Sequence, residues 1–154
     1  MKKIVSFCLA VVLLLGAVGC GETVAQMDMQ DLYGKLGGAV AMPEMLELDA
    51  GLMLDYCGIR AEYVTQALVV ICADSLRTDE LWLLEAKDAD SAKKLVSLAE
   101  KRLEKKGEES ITYSPEQYAV VEKAQLLQLG NYVILLVSPD AAAMAQVVNE
   151  AAGK

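Results

Sequence analysis

Apolar positions along this chain come mostly in continuous runs, and only in places at helical spacing. Tyr63 to Ala73 is rich in Val, Ile and Thr, and Asp79 to Lys87 centres on Leu81-Trp82-Leu83-Leu84. Asp74-Ser75-Leu76-Arg77-Thr78 between them is turn chemistry, so the two runs predict an antiparallel hairpin. A second hairpin is predicted from Ala124 to Leu129 and Tyr132 to Ser138, which flank Gly130-Asn131. That pair suits the positive φ values of tight hairpin turns.

Helical spacing is clearest between the hairpins. Ala92, Leu95, Val96, Ala99 and Leu103 recur on one face, with Asp88 or Asp90 as cap. Lys105 and Lys106 are expected in the last turn, favourable to the helix dipole, with Gly107 ending it. Ser114-Pro115-Glu116-Gln117 opens a short helix with Ser114 as cap and Pro115 in the first turn. Pro139-Asp140 starts a final one through Ala141, Met144, Val147, Val148 and Ala151. Near the start, Gln26 to Leu36 reads as a weak helix stopped by Gly37-Gly38. Glu44 to Tyr56 reads as helical in pieces, with a break near Asp49 and a closing Gly58.

This order predicts an α+β domain. Its four-stranded, largely antiparallel sheet is made of two β-hairpins, each followed by a helix, with the N-terminal helices packing on the sheet. The two halves repeat an order of elements without repeating sequence. Val69-Val70-Ile71, Leu81 to Leu84 and Val133 to Val137 are unbroken apolar runs, which suit strands buried on both faces. The second face is covered either by the N-terminal helices or by another chain, a homodimer partner included; cover from within the chain is the expected solution.

The first residues belong to another class of signal. Lys2-Lys3 precede a predominantly apolar stretch from Ile4 to Leu15, followed by the small residues Gly16-Ala17-Val18-Gly19. This is the form of a secretory signal, and the stretch falls short of the roughly 20 residues of a membrane span. Cys20 follows directly, and Ala17-Val18-Gly19-Cys20 resembles a lipobox, in which the cysteine thiol receives a diacylglyceryl group. The expected organisation is a signal peptide over 1–19, a lipid-anchored tether over 20–26 and one domain over 27–154. The membrane would be held through lipid on Cys20, since two acyl chains are what stable anchoring needs.

Charge narrows the partners. The whole chain carries 14 basic and 22 acidic residues, and loss of Lys2 and Lys3 leaves 12 basic, a formal −10. An acidic body repels phosphate backbones, so no nucleic-acid partner is expected, and an envelope protein or a second copy remains open. Cys57 and Cys72 are the cysteines left for pairing. They form either a disulfide, worth roughly 3 kcal/mol for a loop of that size, or two small buried thiols.

Candidate chemistry is sparse. The chain has no histidine, which removes the usual general base and the Ser/His and Cys/His nucleophile pairs. Gly34, Gly37 and Gly38 lack the strand and lysine of a phosphate loop. Glu44, Glu47, Asp49 and Asp55 are close in sequence, and the choice is between a carboxylate pair for hydrolysis and a solvated acidic face. Met27, Met29, Met42, Met45 and Met53 offer either soft Cu(I) ligands or gap-filling core. Tyr113, Tyr118 and Tyr132 lie near the connections around the second hairpin, either as a binding surface or as braces at the sheet margin. No cofactor is expected.

As a set, certain segments resemble a family. These are the lipobox, Asp79-Glu80-Leu81-Trp82-Leu83-Leu84-Glu85-Ala86-Lys87-Asp88, the charged helix, Tyr113-Ser114-Pro115-Glu116-Gln117, Gly130-Asn131-Tyr132-Val133 and Val137-Ser138-Pro139-Asp140. They resemble the small lipoproteins of anaerobic Gram-positive bacteria grouped as domain of unknown function 4358, over roughly residues 45 to 150. This sequence differs in placing Cys57 before Gly58, where the family more often runs tyrosine into glycine. The resemblance implies a cell-surface setting and one α+β domain, and it carries no known activity and no known catalytic residues. The expected role is a non-enzymatic binding or accessory module of the cell envelope. An envelope hydrolase using paired carboxylates, or a lipoprotein capturing a small ligand or metal, stands as the alternative.

Overall fold

A computed structural model describes residues 23–154. The chain forms α1 (Met29–Ala39), β1 (Met45–Glu47), α2 (Ala50–Cys57), a 3-10 turn at Ala61–Tyr63, β2 (Val64–Cys72), β3 (Glu80–Ala86), α3 (Ala89–Tyr113), α4 (Pro115–Glu122), β4 (Gln125–Leu129), β5 (Tyr132–Val137) and α5 (Ala141–Ala151). The signal over 1–19 and the lipidated Cys20 lie outside the described residues. Of the expected tether, Val24 packs against the core and the Ala25 amide donates to the Ala152 carbonyl at 3.0 Å.

The sheet is antiparallel throughout and has five strands, in the order β1-β2-β3-β5-β4. Both expected hairpins are present. The fifth strand, β1, corrects the helical reading of Glu44 to Tyr56. Met45, Leu46 and Glu47 pair with Cys72, Ile71 and Val70, and this edge pairing outweighs the helix preference of Met, Leu and Glu. The expected break falls at Asp49, whose carboxylate accepts the Leu52 amide at 2.9 Å and so caps α2. Gly58 closes α2 in the left-handed region at φ 71°.

Continuous apolar strands find cover from within the chain. On one face Leu68, Val70, Leu81, Leu83, Ile134 and Leu136 meet α1 (Leu32, Leu36) and α5 (Met144, Val148). On the other, Val69, Trp82, Leu84, Val133, Leu135 and Val137 meet α3 (Ala92, Leu95, Ala99), α4 (Val120, Val121) and the end of α2 (Cys57). The result is three layers with β3 and β5 at the centre, each strand residue facing one helical layer or the other. The repeated order of elements is not a structural symmetry, because α3 and α5 lie on opposite faces.

Two glycine signals were read as stops and are not. α1 continues through Gly37 and Gly38 to Ala39. α3 continues through Gly107 to Tyr113, where Ser114 ends it and caps α4 in turn, accepting the Gln117 amide. Lys106 is therefore interior to the helix instead of in its last turn. The helix persists because its second half packs on α4; a methyl group at Gly107 would sit 3.7 Å from Cε2 of Tyr118, an ordinary contact. At the second hairpin only Gly130 takes a positive φ, at 60°, and Asn131 does not, the pattern of a turn with glycine first.

Gly107→Ala is accordingly expected to stabilise the protein by about 0.5–1 kcal/mol, the helix-interior cost of glycine. A rise in the urea midpoint at unchanged slope checks it; a fall would restore Gly107 as a helix end.

Candidate functional site

β3 begins with a charged residue on a face that is otherwise apolar. Glu80 shares its face with Trp82 and Leu84, and its surface exposure is 0 %. A bare carboxylate there would be costly, and the chain surrounds it with donors. The Trp82 indole N–H donates to Oε1 at 2.7 Å. Arg102 grips both oxygens through Nε (3.0 and 3.2 Å) and Nη2 (2.8 Å). Lys106 Nζ lies 2.9 Å from Oε2 and also donates to the Thr78 carbonyl at 3.0 Å.

The cations come from the apolar stripe of α3. Leu95, Ala99, Arg102, Lys106 and Ser110 follow one another at helical spacing, and the stripe turns from apolar to cationic where it passes the end of β3. Burial pushes the Glu80 carboxyl up, but the Arg102 hydrogen bond and the charges of Lys106 and Arg102 more than offset this and hold it below the ordinary range. With its acceptor positions filled and its charge fixed, Glu80 is a structural anion and not a proton shuttle.

Around this network lies a cavity of about 190 Å³, lined by residues that include Glu80, Arg102, Lys106, Cys72 and Thr78, with Tyr56, Arg77, Glu109 and Tyr113 at its rim. Arg77 is held in a two-pronged pair with buried Asp79, at 2.9 and 3.2 Å. Gln117 of α4 accepts from the Thr78 amide at 2.9 Å, tying the β2–β3 turn to the helical layer. A wider groove of about 440 Å³ between α3 and α4 includes Tyr118, Ile111 and Glu108, but no charged group along it is buried.

The expected site residues are dispersed. Cys57 and Cys72 are both buried free thiols, so the disulfide alternative gives way to the thiol one. Burial, with the Glu80 charge adding to it, pushes the Cys57 thiol up to about 12. It is protonated at neutral pH and no nucleophile. Tyr113 is at the cavity rim and Tyr118 in the neighbouring groove, whereas Tyr132 is buried in the opposite core layer, where its hydroxyl accepts the Met27 amide at 3.0 Å. The three tyrosines do not form one surface. Met27, Met29, Met42 and Met45 pack in one core and Met53 in the other. Glu44, Glu47, Asp49 and Asp55 are exposed, and among the described residues no group of three or more His, Cys, Asp or Glu is placed to hold a metal ion.

The sequence model of one family, described as domain of unknown function (DUF4358), matches residues 39–138, well over half of the chain and all of the cavity. No curated protein and no solved structure matches.

Glu80→Gln leaves two inward cations without their counter-ion and is expected to cost about 3–5 kcal/mol at pH 7. The folded protein holds Glu80 below its unfolded pKa, so as pH falls the unfolded chain takes the proton first. The network's contribution is therefore full above the unfolded value of about 4.3 and is lost as pH falls through the folded value. Urea unfolding at pH 7 and pH 3 checks both points: the gap between native and variant should be wide at neutral pH and narrow in acid.

Proposed function

We propose that this chain, which belongs to the family of domain of unknown function DUF4358, is a lipid-anchored extracytoplasmic binding module of the cell envelope that acts without catalysis. Its address rests on Lys2-Lys3, the apolar stretch from Ile4 to Leu15, and Cys20 after small residues. Among the described residues no helix is long and apolar enough to cross a membrane.

The observation that carries the reading is where the anchor and the exposed apolar groups lie. Val24 packs beside the Gly130 turn and Ala25 bonds to Ala152, so the lipid would join at the end where β5 starts and α5 stops. Four residues from Cys20 to Val24 reach roughly 14 Å at most. The strand register puts Glu80, Ile71 and Val137 at the far end of the sheet. Most of the exposed large apolar side chains among the described residues are found around that far end. Leu46 is on β1 opposite Ile71, Leu76 is in the β2–β3 turn, and Ile111 and Tyr113 finish α3. Tyr56 shares the cavity rim with Tyr113, and Leu52 and Leu54 are on the same helix as Tyr56. Apolar surface concentrated at one end suits recognition of an envelope protein held away from the bilayer. The buried acids support a non-catalytic role: Glu80 is saturated with donors and Asp79 is clamped by Arg77.

Crosslinking in intact membranes tests the proposal. The native chain is expected in the membrane fraction with a near-stoichiometric partner, and Cys20→Ala in the soluble fraction without it. Leu76→Ser with Ile111→Ser should stay membrane-bound, melt unchanged and lose the crosslink. If Cys20→Ala fractionates as the native chain does, the anchor is wrong; if the double variant keeps the partner, the far end is not the binding face.

A further inference from the structure

The Glu80 network holds more positive than negative charge. One carboxylate faces two cations whose side chains are only 13 % and 11 % exposed, Arg102 and Lys106. Around it, Arg77 is paired with Asp79, and Glu109, which also lines the cavity, acts on Arg102 through its charge while lying 3.8 Å from Lys105 in an exposed pair. Two cations thus share one buried carboxylate at the cavity floor, and the exposed Glu109 balances the lining as a whole.

Arg102 also has donors to spare. Each of its hydrogen bonds goes to Glu80, through Nε and Nη2, and Nη1 has no acceptor in the protein. Among the described residues no fully buried side-chain nitrogen or oxygen lacks a partner, so Nη1 is open to solvent, and the residue lines the cavity. Lys106 uses its ammonium on Glu80 and on the Thr78 carbonyl, two bonds out of three. We infer that this cavity is a binding site for a single carboxylate borne on a peptide, with the guanidinium edge of Arg102 as the principal contact.

Three features select that chemistry. The two cations around Glu80 suit a singly charged anion better than a phosphate dianion, which Glu109 at the same cavity would repel more strongly. A guanidinium edge matches a carboxylate in geometry as well as charge. The volume, about 190 Å³, takes one residue and not a drug-sized ligand. Tyr56 and Tyr113, 57 % and 52 % exposed, flank the opening and offer area to the residue that carries the acid. The chemistry of this cavity is independent of the anchor, although its use in recognising an envelope protein rests on the function proposed above.

The chain supplies its own reporter. Trp82 is the only tryptophan, and its indole bonds to the same carboxylate as Arg102. Tryptophan emission of the purified full chain in low-salt buffer is followed while N-acetyl-alanyl-alanine is added as its free acid, as its C-terminal amide, and against inorganic phosphate. The acid is expected to give a saturable change in the millimolar range, and the amide none. Arg102→Lys, which keeps the charge but loses the free edge, should weaken the acid at least tenfold, with folding checked by its thermal melt. Should that variant not fold, Tyr113→Ala, altered only at an exposed position, should weaken binding several-fold. Equal responses to acid and amide, tighter binding of phosphate, or unchanged affinity in the variants would overturn the assignment. None of these outcomes depends on Cys20, so a failed anchor and a failed site read out separately.

Discussion

A carboxylate with no exposed surface, at the start of the central strand, has to be neutralised from inside the fold. That demand shapes the far end of the molecule. It requires cations on the helical layer opposite β3, and so a helix long enough to bring Arg102 and Lys106 past the strand end while it starts at Asp88 beside the other end. The same lysine holds the Thr78 carbonyl, and Gln117 holds the Thr78 amide, so the β2–β3 turn, α3 and α4 are joined around one charge. The remainder of the sheet needs only apolar filling, and its two faces receive it from α1 and α5 on one side and from α2, α3 and α4 on the other.

Where apolar runs and turn residues agreed, the fold was legible in the chain. Val69-Val70-Ile71 and Val133 to Val137 read as doubly buried strands because no polar residue interrupts them, and the turn residues between the runs placed both hairpins. What was not legible depended on partners distant in sequence. Met45-Leu46-Glu47 has no strand preference of its own and becomes β1 only because β2 offers an edge. Gly37, Gly38 and Gly107 are stops by propensity, yet a glycine costs a helix only about 1 kcal/mol, less than tertiary packing returns. α4 lies against α3 at Gly107, and the core beneath α1 holds Leu36 fully buried.

The site was harder to see for a related reason. Glu80 was read as part of an apolar strand, and the lysines of α3 as dipole-compensating surface charges. A signal was present: Leu95, Ala99, Arg102, Lys106 and Ser110 are one stripe, and two cations on the buried face of a helix need an anion facing them. Pairing that stripe with Glu80, the acid that opens β3 on the face of Trp82 and Leu84, would have found the network. The tyrosines misled because proximity along the chain to a hairpin does not fix a face. Tyr132 alternates with Val133 and falls in the layer opposite to α3.

Stability alone is a poor reason for such a network. Burying ions carries a desolvation cost that pairing recovers only in part, and well-packed apolar side chains of the same volume commonly serve a fold as well or better. Leu and Met at Arg102 and Lys106, with an apolar residue at Glu80, would continue the core formed by Trp82, Leu95 and Ala99 without a break. What an apolar trio could not provide is a charged edge held rigidly at the floor of a cavity. The guanidinium is fixed by two nitrogens on one carboxylate, and its remaining edge is presented without conformational freedom. Glu80 thus acts as the positioning residue for a cation whose free side faces outward, at the end of the domain where its apolar surface is also exposed.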